Sequence, residues 1–304
     1  MHPAYSVIFF TVSSGAGLGL IAFMGLGALR IDTMSTGFLL MAFGIGFALS
    51  VGGLLSSTFH LGRPERAWRA FSQWRSSWLS REGVLAVVSL VVAAIFAGLW
   101  LFLDLSSAIL GILTAVLAML TVWATGMIYA QIKAVDLWYR WLTPVCYLLF
   151  SIAGGVILFL FIHAAMTGKA GWELSSVAMV ALLVAWAVKM FWWIGGDRAP
   201  RSTPESATGL GHLGKVRLLE KPHTGSNYLL DEMGFHIGRK HARKLRLISV
   251  LLGAVMPILL ILLAIPAPLD VLWLGLALLA HLTGMLVERW LFFAEARHAV
   301  MAYY

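Results

Sequence analysis

The chain has 304 residues, of which 60% are hydrophobic and only 12% charged, and its formal net charge is +8. Water-soluble domains carry about 25% charged residues, so this composition excludes an ordinary soluble enzyme. The one cysteine, Cys146, excludes an internal disulfide, a cysteine-ligated zinc site and an iron–sulfur cluster held by this polypeptide.

Eight apolar segments are long enough, or nearly so, to cross the hydrocarbon core of a bilayer, which takes roughly 20 residues. Backbone amides in lipid must be paired within their own segment, so these segments are predicted to be helices. The fold class is therefore predicted to be all-α, one integral membrane domain over residues 1–304. The predicted spans are Tyr5–Leu29, Gly37–Phe59, Glu82–Leu103, Ser106–Ile128, Thr143–Ala165, Glu173–Ile194, Leu247–Ala264 and Asp270–Phe293.

The first predicted span is rich in glycine and contains a small-xxx-small pattern at Gly15 and Gly19. This pattern is typical of close helix packing in membranes. The span lacks the basic start and the cleavage site of a removable signal peptide, so we expect it to remain in the membrane.

The connection between the second and third spans carries the strongest chemical signal. His60 closes the second span and Glu82 opens the third, so both are expected at a similar depth on one side of the membrane. An imidazole beside a carboxyl suits proton exchange with a quinone, because quinone conversion takes protons as well as electrons and His titrates near neutrality. Alternatively the two residues only mark helix ends, with Glu82 favouring a helix N-terminus electrostatically.

The distribution of basic residues predicts the orientation. With eight spans both termini lie on one side, which also receives the three long connections, and 19 of the 22 lysines and arginines fall there. Positive charge marks the cytoplasmic side, so we expect both termini and these connections in the cytoplasm. The positive net charge then follows from topology, and no nucleic acid is needed as a partner. We expect a multi-pass protein of the bacterial inner membrane.

The longest connection, residues 195–246, is basic and is predicted to dock a partner protein. Its stretch from Arg239 to Arg246 fits a docking helix and anionic-lipid binding equally well. The same connection contains Gly209-x-Gly211-x-x-Gly214, the spacing of a dinucleotide-binding loop. No strand precedes it, so we interpret it as a turn.

Several ionisable residues lie inside the predicted spans, where such groups are candidates for function. His163 and His281 do not match in depth, which argues against a haem held by two histidines; His281 is predicted to make a helix–helix hydrogen bond. Lys189 is predicted to extend its amine to the membrane surface. Glu288 and Arg289 are adjacent, so we expect them to point in different directions and to pair with other helices or a partner subunit.

Four motifs in the sequence resemble the membrane anchor subunit of the dimethyl sulfoxide reductase family. The likeness covers nearly the whole sequence, is weakest over residues 195–246, and is most specific at the first motif. The motifs are His60-Leu61-Gly62-x-Pro64-x-Arg66-Ala67, Leu79-Ser80-x-Glu82, Trp138-Tyr139-x-x-x-Thr143-Pro144 and Glu288-Arg289.

This resemblance implies an anchor without haem or iron–sulfur cluster of its own. It implies electron exchange between a quinone, either ubiquinone or menaquinone, and a four-cluster iron–sulfur subunit, which connects to a molybdopterin catalytic subunit. We expect the iron–sulfur subunit to dock on the cytoplasmic face. The resemblance assigns quinone binding to His60 and Glu82 and places Arg66 beside them. Further candidates for the quinone site are Arg63, Trp78 and Tyr129.

Parts of the long connection resemble the anchors of cytoplasmic sulfite:quinone dehydrogenases, so oxidation of sulfite to sulfate is the predicted overall reaction. The alternative within the family is a reductase of an S- or N-oxide that oxidises menaquinol. A secondary transporter is the alternative from another class, although neither internal repeats nor broken helices are evident. The stretches that carry this resemblance are Pro204–Gly211, His223-Thr224, Asn227–Leu229 and Glu232–Phe235.

Overall fold

A computed structural model describes residues 4–27, 34–60, 63–197, 203–220, 240–266 and 270–303. Within these residues, eight helices are long and apolar enough to cross a membrane. At 1.5 Å per residue, their 21 to 26 residues span about 32–39 Å, enough for a hydrocarbon core of about 30 Å. The predicted all-helical fold is confirmed. The helices are α1 (Tyr5–Gly27), α2 (Thr36–Ser56), α3 (Trp78–Leu103), α4 (Ala108–Ala130), α5 (Leu142–Thr167), α6 (Trp172–Asp197), α7 (Ala242–Ala264) and α8 (Asp270–Ala294).

Two helices begin earlier than the apolar segments predict. α3 starts at Trp78, after extended Ser77, so Glu82 lies a full turn inside the helix. α7 starts at Ala242, five residues before the predicted span. Hydropathy marks only the part of a helix that lies in hydrocarbon, whereas helical hydrogen bonding continues into the polar turn outside it.

α1 and α5 form the centre of the bundle. In each of them, 72% of the apolar stretch that could cross the membrane is buried inside the protein. They approach closely because glycines face the neighbouring backbone: a Cβ on Gly19 would overlap the Ser151 carbonyl oxygen. A Cβ on Gly15 would meet nothing within 4 Å. The predicted close packing is therefore found. Gly19 lets the two backbones approach, and Gly15 contributes only its carbonyl, which accepts from the Ser151 hydroxyl at 2.6 Å.

α7 contains one π-helical turn, Leu251–Val255, followed by Pro257. A proline has no N–H, so Pro257 cannot donate to the carbonyl of Gly253 four residues earlier. The Gly253 carbonyl instead accepts hydrogen bonds from Trp186 Nε1 of α6 and His281 Nδ1 of α8, each at 2.9 Å. The Gly253 carbonyl, which Pro257 leaves without its usual helical donor, therefore connects α6, α7 and α8 by hydrogen bonds.

The starts of α1, α3, α5 and α7 and the ends of α2, α4, α6 and α8 meet at one end of the bundle, here called the basic end. Trp138, in the connection between α4 and α5, donates to the carbonyl of Phe292 near the end of α8. Arg246 in the first turns of α7 binds both Asp197 at the end of α6 and Glu295 just after α8. These contacts fix the relative positions of the helix ends around the candidate site.

Candidate functional site

Glu82 is a buried carboxyl near the start of α3, with 5% of its surface exposed. The Thr125 hydroxyl, near the end of α4, donates a hydrogen bond to its Oε1 at 2.5 Å. Among the described residues, the ion pairs do not include Glu82. The carboxyl is thus held by a neutral partner, and the expectation that Glu82 marks only a helix end does not account for its burial.

A short 3₁₀ helix, Pro64–Phe71, positions the backbone beside Glu82. Ser80 of α3 donates to the Ala70 carbonyl and accepts from the backbone N–H of Gln73, and these hydrogen bonds fold the segment back onto the start of α3. The Phe71 ring lies over Gly83, where an added Cβ would be 3.2 Å from the ring. The connection between α2 and α3 therefore lies against the helix turn that carries Glu82.

Tyr129 shares a face of α4 with Thr125, because the two are four residues apart. Its ring stacks on that of Tyr147 of α5, with centroids 5.8 Å apart, and meets Trp138 and Phe292 at 5.3 Å each. The structure thus brings Tyr129, a candidate from the sequence resemblance, to the corner of the bundle that holds Glu82.

The two arginines predicted for the quinone site lie at the surface of the connection between α2 and α3. Arg63 and Arg66 are exposed, and Arg66 lies 3.9 Å from Glu65. Trp78 is half-buried one turn before Glu82 and packs against the guanidinium of Arg81, 4.5 Å from its ring centroid. His60 ends a 3₁₀ turn that follows α2, but its side chain lies outside the described part. The pairing of His60 with Glu82 therefore stays a prediction.

A buried ion cluster lies beside this corner. Lys189 Nζ of α6 is 2.6 Å from Glu288 Oε1 of α8, and the other oxygen of Glu288 accepts from Arg289 Nε. The prediction that Lys189 reaches the membrane surface is wrong, because its side chain is 1% exposed. Glu288 and Arg289 contact each other as well as other helices, so the expectation that they point apart is also wrong.

Aromatic rings surround the two cations of this cluster. Lys189 Nζ lies 3.5 Å from the Trp192 ring centroid, and the Arg289 guanidinium carbon lies 4.3 Å from that of Tyr147. The negative face of an aromatic ring attracts a cation, so these rings replace part of the lost water. The cluster was missed by treating each residue alone. Lys189 and Glu288 lie eight and six residues before the ends of α6 and α8, and this similar depth is the signal that predicts the pair.

His281 donates from Nδ1 to the Gly253 carbonyl at 2.9 Å, so the predicted helix–helix hydrogen bond is found. His163, near the opposite end of α5, stacks on Phe159 with centroids 6.4 Å apart. Within the described residues, no group of three or more His, Cys, Asp or Glu side chains is arranged to hold a metal ion.

The middle of the long connection is described over residues 203–220, which include a one-turn helix, Pro204–Thr208. The backbone N–H groups of Glu205 itself and of Val216 donate to the Glu205 carboxyl, and these hydrogen bonds hold its pKa below the usual value. Gly209 ends the turn at φ 70°, and the segment to Gly214 forms turns, as predicted. The docking role of residues 195–246 stays a prediction, and residues 198–202 and 221–239 lie outside the described part.

Comparison with known proteins gives a consistent result. The family model of the DMSO reductase anchor subunit (DmsC) matches residues 1–294. The sequence is 33% identical over its whole length to a sulfite dehydrogenase subunit of Allochromatium vinosum, covering 99% of that protein. It is 29% identical to one polypeptide of the anaerobic dimethyl sulfoxide reductase of Escherichia coli, over 49% of this protein and 53% of that one. No solved structure matches it.

Proposed function

Because this protein belongs to the family of DMSO reductase anchor subunits, we propose that it exchanges electrons between the membrane quinone pool and an iron–sulfur partner. It is a multi-pass membrane protein and an anchor subunit of an oxidoreductase complex of this type. The finer proposal is that a quinone reacts at the corner of the bundle formed by α3 and α4. The observation that carries it is the buried carboxyl of Glu82.

The residues at this corner fit a quinone head group. A quinone supplies two-electron, two-proton chemistry, so its site needs a group that exchanges protons and an apolar, partly aromatic wall. Glu82 is buried with a neutral hydroxyl partner, and it can take or give a proton without breaking an ion pair. Tyr129 and Trp78 are aromatic residues placed on α4 and α3 within a turn of Thr125 and Glu82.

In this proposal Glu82 exchanges the proton at its carboxyl, and Thr125 holds the carboxyl in place. His60, at the end of the turn after α2, binds a quinone carbonyl and relays the second proton. Arg66 and Arg63, exposed on the same connection, and Trp78 close the site toward water. The metal centres belong to the two partner subunits. They are four iron–sulfur clusters and the molybdenum held by molybdopterin.

We propose sulfite oxidation to sulfate as the overall reaction. The support is the relative named as a sulfite dehydrogenase subunit, which this protein matches from end to end. The relative from the dimethyl sulfoxide reductase matches over about half of each sequence, so an anchor that oxidises menaquinol for S- or N-oxide reduction is the second candidate. The family match removes the reason to consider a transporter.

We propose that the basic end faces the cytoplasm of a bacterium and that the iron–sulfur subunit docks there. The basic residues of the connections support this orientation by the positive-inside rule. Residues 195–246 extend from this end and include Arg246, which is anchored to Asp197 and Glu295.

The test uses the whole complex, purified through this subunit and analysed for iron and molybdenum. Glu82→Gln and His60→Ala are each expected to remove turnover that passes through quinone while activity with a soluble dye remains. Glu173→Gln is the matched control, because Glu173 is exposed in the first turn of α6 at the opposite end of the bundle. Wild-type quinone-linked rates in the Glu82 variant would remove Glu82 from the mechanism.

The substrate is tested on the same preparation. We expect electron transfer from sulfite to quinone, and no reduction of dimethyl sulfoxide by menaquinol. The reverse pattern would assign the protein to the reductase branch. Purification of the protein without iron, molybdenum or companion polypeptides would overturn the anchor assignment.

A further inference from the structure

A small cavity lies between α1, α4, α5 and α8, next to the candidate quinone site. The space inside it is about 30 Å³. A buried water needs about 10–15 Å³ measured in this way, so the cavity has room for one or two waters and is far too small for a quinone ring. Seven of the residues that line it have polar side chains, and they come from all four helices: Thr11, Ser14, Thr125, Tyr147, Ser151, His281 and Arg289. The hydroxyls of Thr11, Ser14 and Ser151 donate to backbone carbonyls.

Two of these side chains, Tyr147 and Arg289, are 6% and 2% exposed. Arg289 lies within hydrogen-bonding reach of Tyr147, and Tyr147 within reach of Tyr129. The Tyr147 hydroxyl and Arg289 Nη2 nevertheless make no hydrogen bond of good geometry among the described residues. A water in the adjoining cavity would complete the hydrogen bonding of both.

His281 offers an acceptor to the same space. The Gly253 carbonyl can only accept, so His281 Nδ1 carries the proton and Nε2 is the acceptor of the neutral ring. Nε2 faces Gly154 of α5, 3.7 Å from where a Cβ would stand, and both residues line the cavity. The cavity therefore offers a water two donors, from Tyr147 and Arg289, and one ring-nitrogen acceptor, from His281. This number lies within the two to four partners typical of a buried water.

Thr125 joins this cavity to Glu82. Its side chain lines the cavity, and its hydroxyl donates to the Glu82 carboxyl. The same hydroxyl lies 3.1 Å from the backbone carbonyl of Thr121. A hydroxyl can donate one proton and accept others, so Thr125 can pass a proton between Glu82 and a water on its other side.

We propose that this cavity binds water and that the water links Glu82, through the Thr125 hydroxyl, to the Nε2 of His281. A proton held by Glu82 passes to the Thr125 oxygen while the Thr125 proton passes to water and a water proton passes to Nε2. The carboxylate, the hydroxyl and the water are restored, and the imidazole carries the charge; the reverse sequence returns the proton. Tyr147 and Arg289 are positioning residues that hold the water. This proposal rests on the quinone role of Glu82.

Thr125→Val tests the link, since valine keeps the shape and removes the hydroxyl. We expect about a tenfold loss of quinone-linked turnover, less than the 10²–10⁴ of a direct acid–base group, and a changed solvent deuterium isotope effect. Dye-linked activity should stay unchanged, and Thr125→Ser should restore both readouts. Thr121→Val is the matched control: Thr121 is buried one turn away, donates to the Leu117 carbonyl at 2.9 Å and does not line the cavity.

The water itself is tested by a high-resolution structure of the complex. We expect density for one or two waters within hydrogen-bond distance of Arg289 Nη2 and Thr125, and an empty cavity would overturn the proposal. Wild-type turnover and isotope effect in Thr125→Val would overturn the link, while the quinone role of Glu82 stands if Glu82→Gln is inactive with quinone. If Glu82→Gln is also normal, the proposed function fails with it.

Discussion

Glu82 and Glu288 are both buried carboxyls at the basic end of this bundle, and their surroundings differ. Glu288 of α8 lies between two cations, Lys189 and Arg289, and is 0% exposed. Glu82 of α3 is 5% exposed and receives a hydrogen bond from a neutral hydroxyl. The same functional group thus lies inside an ion cluster at Glu288 and has no described counter-charge at Glu82.

This difference distinguishes a carboxyl that stabilises the fold from one that can exchange a proton. A carboxylate between two buried cations is a fixed counter-ion, because its loss would leave like charges facing each other in a medium of low dielectric constant. A carboxyl with a hydroxyl partner can exchange its proton without that penalty. We therefore assign Glu288 to stability and Glu82 to proton exchange, and the same substitution at both positions tests the assignment.

The largest effect is expected for Glu288→Gln. Removing one partner of a buried ion cluster costs about 3–5 kcal/mol, because Lys189 and Arg289 are left buried without a counter-ion. The free energy of unfolding, measured by denaturing-detergent titration of the subunit in mild detergent, should fall by that amount. A loss below about 1 kcal/mol would show that Glu288 is not a fixed counter-ion.

Glu82→Gln is expected to reverse the pattern. Glutamine can still accept from the Thr125 hydroxyl, so the free energy of unfolding should change by less than about 1 kcal/mol. Quinone-linked turnover should fall by about a hundredfold or more, the lower limit for loss of a direct acid–base group. If stability falls as far as in Glu288→Gln, the contrast between the two carboxyls disappears.

The smallest effect is expected at Asp197, whose ion pair with Arg246 lies at the edge of the same end. The two side chains are 2.6 Å apart, and that of Asp197 is 58% exposed. Ion pairs near water contribute about 0–1 kcal/mol and are screened by salt. Asp197→Asn should therefore lower the free energy of unfolding by about 1 kcal/mol or less in low salt and by still less in high salt. A larger loss that does not depend on salt would show that this ion pair, like the Glu288 cluster, is shielded from water.

The number and order of the membrane-spanning helices in the described residues could be predicted from the sequence. All eight apolar segments are helices, and the family resemblance drawn from the motif at His60 is confirmed by the match over residues 1–294. The early starts of α3 and α7 escaped prediction because their first turns are polar. Sequence reasoning also singled out Glu82, because it opens one span at the depth where His60 closes another and because it lies in a motif of the family.

The partners of these residues could not be predicted in the same way. Thr125 looks like any threonine in a membrane helix: Thr114 and Thr121 on the same helix donate to their own backbone carbonyls. Only the contact between α3 and α4 turns Thr125 toward a carboxyl. The prediction for Lys189 was wrong because a long charged side chain near a helix end usually extends to water. Here the Lys189 amine instead pairs with the carboxylate of Glu288 on another helix.

The sequence by itself determined the helices, because in lipid each backbone segment must satisfy its own hydrogen bonds whatever its neighbours do. It also determined the family, through local motifs. The tertiary structure alone decided which side chains meet, because that depends on how closely helices approach at positions such as Gly19 and Gly253. The contact between α3 and α4 places Glu82 against a hydroxyl, and the contact of Lys189 on α6 with α8 leaves Glu288 between two cations. Neither residue's own sequence neighbours contain this difference.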